Sequence, residues 1–122
     1  MVTGIDSTEN AVIDISSIKC STLHVKKVTG TVIKAQVGTS IFIDELKDCE
    51  IHVKCQQLRM HTSEKCRIHL DCSTRAIIED SQEIVFSPLL PGITQVDNWQ
   101  NVDDFNWLSK VEQSPNFSFS EK

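Results

Sequence analysis

Short stretches in which apolar and polar residues alternate run from residue 11 to residue 86. Alternation with a period of two places every second side chain on one face, which is typical of half-buried β-strands. No stretch in this region carries the 3.6-residue period of an amphipathic helix. The pattern predicts short strands at residues 12–15, 22–25, 31–35, 40–43, 50–54, 58–60, 67–71, 76–78 and 84–86.

The predicted strands recur at a spacing of 17 to 18 residues. Cys49-x-Ile51-x-Val53-x-Cys55 reappears 17 residues later as Cys66-x-Ile68-x-Leu70-x-Cys72, and Ile41-x-Ile43 reappears as Leu58-x-Met60. Such a repeat, with two short strands in each unit, is expected of a β-helix, because one turn cannot bury its own apolar face whereas stacked turns bury a continuous column. A β-sandwich is the alternative, but the Gly and Asn hairpin turns that join sandwich strands are scarce. The predicted fold is all-β, a parallel β-helix of about five short coils.

The two ends of the chain differ from the column in composition. Residues 1–10 are polar and are expected to be a flexible N-terminus, so the β-helix domain is assigned to residues 11–88. The sequence SPLLPG at residues 87–92 contains two prolines and a glycine, which end the last strand. Residues 89–122 are therefore predicted to form a C-terminal capping segment and tail.

Aromatic residues define the predicted cap. Residues 97–111 contain both tryptophans and Phe105, a concentration that favours packing over the end of the column. The spacing of Trp99, Val102 and Phe105 fits a short helix, and an irregular wrap fits equally well. Phe117 and Phe119 are expected to be the last anchors of the tail.

Composition excludes several classes of function. The net charge of −5 and the pI of 5.3 argue against a nucleic-acid binder, which needs a basic face. The start of the chain has no apolar signal segment, and no apolar run approaches the roughly 20 residues of a membrane span. Five cysteines without a secretion signal indicate free thiols and a cytoplasmic protein. No Gly-rich phosphate loop and no Ser/His/Asp arrangement suggests a self-contained enzyme.

The cysteines and histidines do not predict a metal site. Equivalent positions on consecutive turns hold the pairs Cys49/Cys66 and Cys55/Cys72, and small buried thiols fill such interior positions well. Their spacing lacks the tight C-x2-C pair of zinc sites. The four histidines are scattered along the sequence and are expected to be surface groups: His24, His52, His61 and His69.

Arg59 is the main candidate for chemistry. If Leu58 and Met60 point into the column, Arg59 and Gln57 point outward from a rigid strand. An arginine whose backbone is fixed before a partner arrives can act as a preplaced cation. The alternative is an ordinary solvated arginine. Glu79 has the same outward parity, so the two side chains can lie on one face.

Several motifs resemble the C-terminal domain of the tubulin-folding cofactor C family. They are Ser40-Ile-Phe-Ile-Asp44, Cys55-Gln-Gln-Leu-Arg-Met-His61, Ile77-Ile-Glu-Asp-Ser81, Trp99-Gln-Asn-Val-Asp-Asp-Phe-Asn-Trp-Leu108 and Ser114-Pro-Asn116. The resemblance covers roughly residues 23–117 and implies a right-handed β-helix. The same domain type occurs in the X-linked retinitis pigmentosa protein that acts on an Arf-like GTPase.

The resemblance implies a GTPase activator rather than an enzyme with its own active site. Arg59 would be an arginine finger inserted into the nucleotide site of a partner. Gln56, Glu79 and Phe105 would flank it and touch the partner, and Gln57 is counted with this partner-binding group. GTP and Mg²⁺ would belong to the partner, so no cofactor or metal of its own is expected.

The implied partner is tubulin held with cofactors D and E, where hydrolysis releases the α/β-tubulin heterodimer. An Arf-like GTPase is an alternative partner, and an actin-binding or tubulin-binding β-helix module without catalytic effect is an alternative function. A monomer is expected, in the cytoplasm and in association with the cytoskeleton. The connection at residues 87–98 is shorter than in the family, which affects the contact role of Phe105. The family's N-terminal helical domain has no counterpart in this sequence, which fits either an excised domain or a short homologue.

Overall fold

The computed structural model describes residues 2–18, 20–89, 102–107 and 114–120. Strands and turns are the regular elements of this part of the chain. The strands are β1 (Val2–Glu9), β2 (Val12–Asp14), β3 (Cys20–Thr29), β4 (Val32–Lys47), β5 (Glu50–His61), β6 (Glu64–Glu79), β7 (Gln82–Pro88), β8 (Val102–Asp104) and β9 (Phe117–Phe119). The described residues contain no helix with the length and apolarity needed to cross a membrane.

All strand pairs are parallel and form one wound sheet. Its order is β1-β3-β4-β5-β6-β7-β9, with β2 beside β4 and β8 beside β6. The sheet winds into a β-solenoid of about five turns, and each turn is called a coil below. The predicted all-β solenoid is confirmed, and the sandwich alternative is wrong because every pairing joins strands that run in the same direction.

The observed register follows the sequence repeat. Cys55 lies opposite Cys72, and Ile41 lies opposite Leu58, as the 17-residue offset predicts. In this parallel register, a residue that points inward lies opposite a residue of the next coil that also points inward. The inward residues therefore form continuous apolar columns. Leu23, Ile41 and Leu58 form one such column and are fully buried. All five cysteines are buried free thiols, which agrees with the interior positions predicted for Cys49, Cys55, Cys66 and Cys72.

The ends and lengths of elements differ from the expectations at three places. Residues 2–9 form strand β1 paired with β3, where a flexible terminus was expected. β4 and β6 each run for 16 residues, because the chain continues to pair with the neighbouring coil around a corner where short strands were expected to stop. Val102–Asp104 is a strand rather than part of a helix. Trp99 and most of the connection at residues 87–98 lie outside the described residues.

The C-terminal residues cap the last coil through added strands. β8 pairs with β6, and β9 pairs with β7. Phe117 is buried, and its ring meets the ring of Phe86 edge to face at a centroid distance of 6.0 Å. The ring of Phe119 also lies against Phe86, at 6.4 Å. Both phenylalanines therefore anchor the tail, as expected.

One corner of each coil is built from two residues in the left-handed region, three positions apart. Their φ angles lie between 50° and 61°. The register stacks them in two rows, Ser7, Lys27, Glu45, Thr62 and Asp80 in one and Asn10, Gly30, Asp48, Lys65 and Glu83 in the other. Only one of the ten is glycine, although glycine adopts this conformation without a steric cost. The corner is therefore a repeated site of backbone strain.

Replacing Glu45 by glycine is expected to stabilise the protein. Glu45 is exposed with a φ of 56°, so the substitution removes a left-handed side chain without removing buried surface. The relief of about 1–2 kcal/mol is partly offset by the flexibility of glycine in the unfolded chain, leaving about 0.5–1 kcal/mol. Urea unfolding measures this gain. Lys54→Gly, at an exposed position inside β5, is the control and should destabilise; a loss of stability in both variants would contradict the strain argument.

Candidate functional site

Arg59 projects outward from the middle of β5. Its neighbours Leu58 and Met60 are 0% and 2% exposed and are packed in the interior, which fixes the backbone on both sides. The Arg59 side chain is exposed. No hydrogen bond or ion pair joins its guanidinium to another described residue. The outward cation predicted from the strand pattern is thus present and is not neutralised by a described neighbour.

Arg59 belongs to an outward row of side chains that crosses the coils. The register places Phe42 opposite Arg59 on the preceding coil and Ile77 opposite it on the following coil. The ring of His24, one coil further, stacks on Phe42 with a centroid distance of 5.0 Å and an interplanar angle of 16°. Arg59 therefore has aromatic or apolar neighbours on both adjacent coils. The exposed stack of Phe42 and His24 lies on one side, and the largely buried Ile77 lies on the other.

A groove of about 410 Å³ surrounds this row. Arg59, Glu79 and Phe105 all line it, so the structure brings together three of the residues selected from the sequence. Glu79 lies opposite His61, which is two residues after Arg59 on β5. Its side chain is therefore on the same outward face as Arg59, as the alternation predicted. Within the described residues the Glu79 carboxylate makes no ion pair with Arg59, so the guanidinium is not held by that carboxylate.

The two glutamines are placed differently. Gln57 is half buried and lies two residues before Arg59, in the neighbouring outward row opposite Arg75. Arg75 is itself paired with Asp103, with 2.7 Å between Nη1 and Oδ2. Gln56 is exposed and lines a second cavity of about 750 Å³ at the next corner. Gln56 is therefore separated from the groove that contains Arg59.

Phe105 lines the groove and is held in place by its own backbone hydrogen bond and by the hydrogen bonds of the adjacent Asp104. Its side chain is 56% exposed, and its backbone N–H donates to the carbonyl of Ile78 at 3.0 Å. The adjacent Asp104 is buried and accepts hydrogen bonds from Ser114 Oγ at 2.6 Å and Asn116 Nδ2 at 2.8 Å. The Phe105 ring is thus exposed to solvent, while the buried Asp104 carboxylate links the backbone of this segment to the tail.

Replacing Asp104 by alanine is expected to release this segment. The change removes the acceptor that the buried Ser114 and the partly buried Asn116 share, at a cost of about 1–3 kcal/mol. Hydrogen exchange should rise first at the amide of Phe105, which pairs with Ile78. Asp103→Ala, which removes an exposed ion pair, is the control and should change stability by less than about 1 kcal/mol. Unchanged exchange at Phe105 in the Asp104 variant would contradict the anchoring role.

His61 and Asp44 line the polar edge of the groove, and Asp80 lies beside them outside its lining. His61 Nδ1 lies 3.6 Å from Asp44 Oδ1, and His61 Nε2 lies 3.4 Å from Asp80 Oδ2. All three side chains are at least 42% exposed. With Glu79, this edge gives the groove an acidic side beside the cationic centre.

The sequence reasoning missed His24, Phe42 and His61 as parts of the site. The signal for Phe42 was available, because the 17-residue offset that aligns Ile41-x-Ile43 with Leu58-x-Met60 places Phe42 on Arg59. The whole outward row that contains Arg59 is recognised only when the sequences of four coils are aligned with one another.

Two histidines are not scattered surface groups as expected. His52 and His69 lie opposite each other on β5 and β6, with parallel rings 4.2 Å apart, and His69 is only 9% exposed. Their Nε2 atoms lie 3.1 Å and 3.4 Å from the two oxygens of Glu50. Hydrogen bonding with His52 lowers the pKa of the Glu50 carboxyl, and burial lowers the pKa of His69. His24 and His61 are exposed, as predicted.

Comparison with known proteins matches the sequence of this chain to one family. Residues 3–105 match the family described as tubulin binding cofactor C. Tubulin-specific chaperone C of Mus musculus is 40% identical over 112 residues, covering 80% of this chain and 33% of the relative. Tubulin-folding cofactor C of Arabidopsis thaliana is 38% identical over 92 residues, covering 65% and 26%. Tubulin-specific chaperone C of Schizosaccharomyces pombe is 32% identical over 110 residues, covering 85% and 37%.

The chain spans about a third of the length of the curated relatives it matches. The family match extends from β1 through β8 and includes Arg59, Glu79 and Phe105. The chain therefore belongs to the tubulin binding cofactor C family.

Proposed function

We propose that this domain takes part in tubulin folding as a GTPase activator that supplies Arg59 in trans to the nucleotide site of tubulin. The observation that carries the proposal is the exposed guanidinium, without a described ionic partner, on a strand fixed by Leu58 and Met60. The names of the relatives, tubulin-specific chaperone C and tubulin-folding cofactor C, favour tubulin as the partner. Cofactors D and E would hold tubulin in the complex on which the domain acts.

The chemistry requires a cation that arrives already positioned. Phosphoryl transfer spreads negative charge over the γ-phosphate oxygens, and a planar guanidinium can bind two of them at once. A rigid strand supplies this cation without an ordering cost at the moment of reaction. GTP and Mg²⁺ would come with the partner, and the domain would contribute one catalytic group to an active site that is completed only in the complex.

The groove supports a contact role for the residues around Arg59. Phe42 and Phe105 are 36% and 56% exposed and flank the arginine, and exposed aromatic side chains are typical anchors of protein interfaces. Glu79 and Gln57 can hydrogen-bond to the partner and orient the guanidinium once tubulin is bound. Gln56 would contact the partner outside the groove, at the edge of the second cavity.

The test measures GTP hydrolysis by tubulin with cofactors D and E, with and without this chain. Stimulation that increases with the concentration of the chain is the expected result. The same assay with Arf-like GTPases identifies the alternative partner, and co-sedimentation with actin filaments tests the non-catalytic module. Tight binding to tubulin with an unchanged hydrolysis rate would replace the activator proposal with a scaffold.

A further inference from the structure

A second cluster of possible ligand atoms lies on another stretch of the solenoid. Glu50 and His52 lie on β5, and His69 lies on β6 directly opposite His52. One ring nitrogen of each histidine and one carboxylate oxygen of Glu50 all lie within 4.8 Å of one another. The three side chains thus converge from two neighbouring coils on one point at the surface.

We propose that Glu50, His52 and His69 form a binding site for a zinc-class divalent cation. Two imidazole nitrogens and one carboxylate are a donor set that Zn²⁺ accepts, with a solvent molecule completing a tetrahedron. This site is distinct from the groove around Arg59, and neither the family match nor the cysteine spacing predicts it.

The possible ligand atoms of the three residues already lie close together. Each Nε2 atom faces a different oxygen of the same carboxylate, at 3.1 Å for His52 and 3.4 Å for His69. A Zn²⁺ ion lies about 2.0–2.2 Å from each ligand atom. The two rings are stacked within 5° of parallel, so binding requires them to rotate until both Nε2 lone pairs point at the ion. Neutral imidazole can coordinate through Nε2 while its proton resides on Nδ1, so binding requires a change of tautomer and no other reaction.

The setting of His69 gives independent support. Ser87 lies opposite His69 on β7, and its hydroxyl is fully buried without a hydrogen-bond partner among the residues that the structure describes. Buried hydroxyls are normally paired, so an orphaned one calls for a missing partner. A ligand-bound water or a reoriented His69 Nδ1–H would provide it. The outer hydrogen bonds of metal-bound histidines commonly serve this orienting purpose.

Other groups of the described chain fit a zinc ion less well. The group of His61, Glu79 and Asp80 offers one imidazole, and all three residues are exposed. The cysteines are buried inside the column, and His52 remains 27% exposed at the surface. Among the residues that the structure describes, only the Glu50 group combines two imidazoles, a carboxylate, partial burial and a parallel strand register.

A bound cation would join consecutive coils. Two of its ligands come from β5 and one from β6, so the ion bridges strands that otherwise meet through backbone hydrogen bonds and side-chain packing. Because the ligands are assembled only in the folded chain, binding should raise the unfolding temperature.

The test is titration of the metal-free chain with ZnCl₂ by isothermal calorimetry at neutral pH, together with thermal unfolding. One Zn²⁺ per chain and a higher unfolding temperature are expected. Glu50→Ala, His52→Gln and His69→Gln should each weaken binding by at least about 10- to 100-fold. His24→Ala and His61→Ala are matched controls and should bind as the wild type does. Glu50 and His52 are partly exposed, so their variants remain informative if the His69 variant fails to fold.

Co²⁺ is a spectroscopic probe of the ligands. Histidine and carboxylate ligation gives d–d absorption without a thiolate-to-cobalt charge-transfer band. A charge-transfer band, or equal affinity in the wild type and the His52→Gln variant, would overturn the proposal. Loss of binding in the three ligand variants with retained binding in both controls would establish it, whatever the outcome of the GTPase assay.

Discussion

Replacing Arg59 by alanine is expected to abolish the stimulation of tubulin GTP hydrolysis and to leave the fold intact. An arginine finger supplies about 10³–10⁵ in rate, which corresponds to about 4–7 kcal/mol of activation free energy at 1.36 kcal/mol per factor of ten. Arg59 is exposed and makes no hydrogen bond or ion pair with a described residue, so its removal should not affect the packing of the interior. Single-turnover hydrolysis with tubulin and cofactors D and E measures the effect, and urea unfolding checks the fold.

Two further variants test whether the effect depends on the positive charge of Arg59 alone, on its planar guanidinium, or on its position. Arg59→Lys keeps the positive charge but loses the planar two-donor fork, so it should recover only a small part of the rate. Arg67→Ala removes another exposed arginine, on β6 and away from the groove, and should stimulate hydrolysis as the wild type does. Full stimulation by Arg59→Ala would show that the cation comes from another protein in the complex.

Replacing Leu58, the residue next to Arg59, by alanine is expected to have the opposite profile. Leu58 is fully buried between Ile41 and Ala76 of the neighbouring coils, so the substitution leaves a cavity in the column. Truncations of this kind cost about 2–5 kcal/mol, a large fraction of the total stability of a small domain. Equilibrium urea unfolding measures the loss. The protein that remains folded should still stimulate hydrolysis, because the guanidinium is retained.

The control for Leu58 is Val12→Ala, since Val12 is 75% exposed at the start of β2. A surface truncation of this kind should change the free energy of unfolding by less than about 0.5 kcal/mol. Equal losses in the two variants would mean that the interior column does not dominate stability.

The repeat made the column predictable because each coil must bury the same positions. Leu58 and Met60 are interior, and Arg59 is outward, as the alternation required. β1 was missed because most of its residues are polar, although Ile5 is buried in the core and the strand pairs with β3. The corners were missed because polar residues such as Glu45 and Lys65 adopt a left-handed conformation that composition favours only for glycine or asparagine.

The candidate site was predictable only in part. Parity placed Glu79 on the face of Arg59, whereas the resemblance was needed to select Phe105 from an aromatic segment. The pairing of His52 with His69 depends on exact register, since a shift of one residue would move one ring to the other face. His69 follows His52 at the 17-residue offset of the repeat, so the repeat, and no local pattern, places the two rings together.

The position of Arg59 along the solenoid has a consequence for its dynamics. In the stacked row that carries it, Gly4, His24 and Phe42 precede it, and Ile77 and Asp103 follow it. A quasi-one-dimensional array frays from its ends, and freeing an inner unit requires several interfaces to separate first. The terminal coils can thus unfold locally and refold while Arg59 keeps its position. Most local opening of the solenoid therefore leaves the geometry of the guanidinium unchanged.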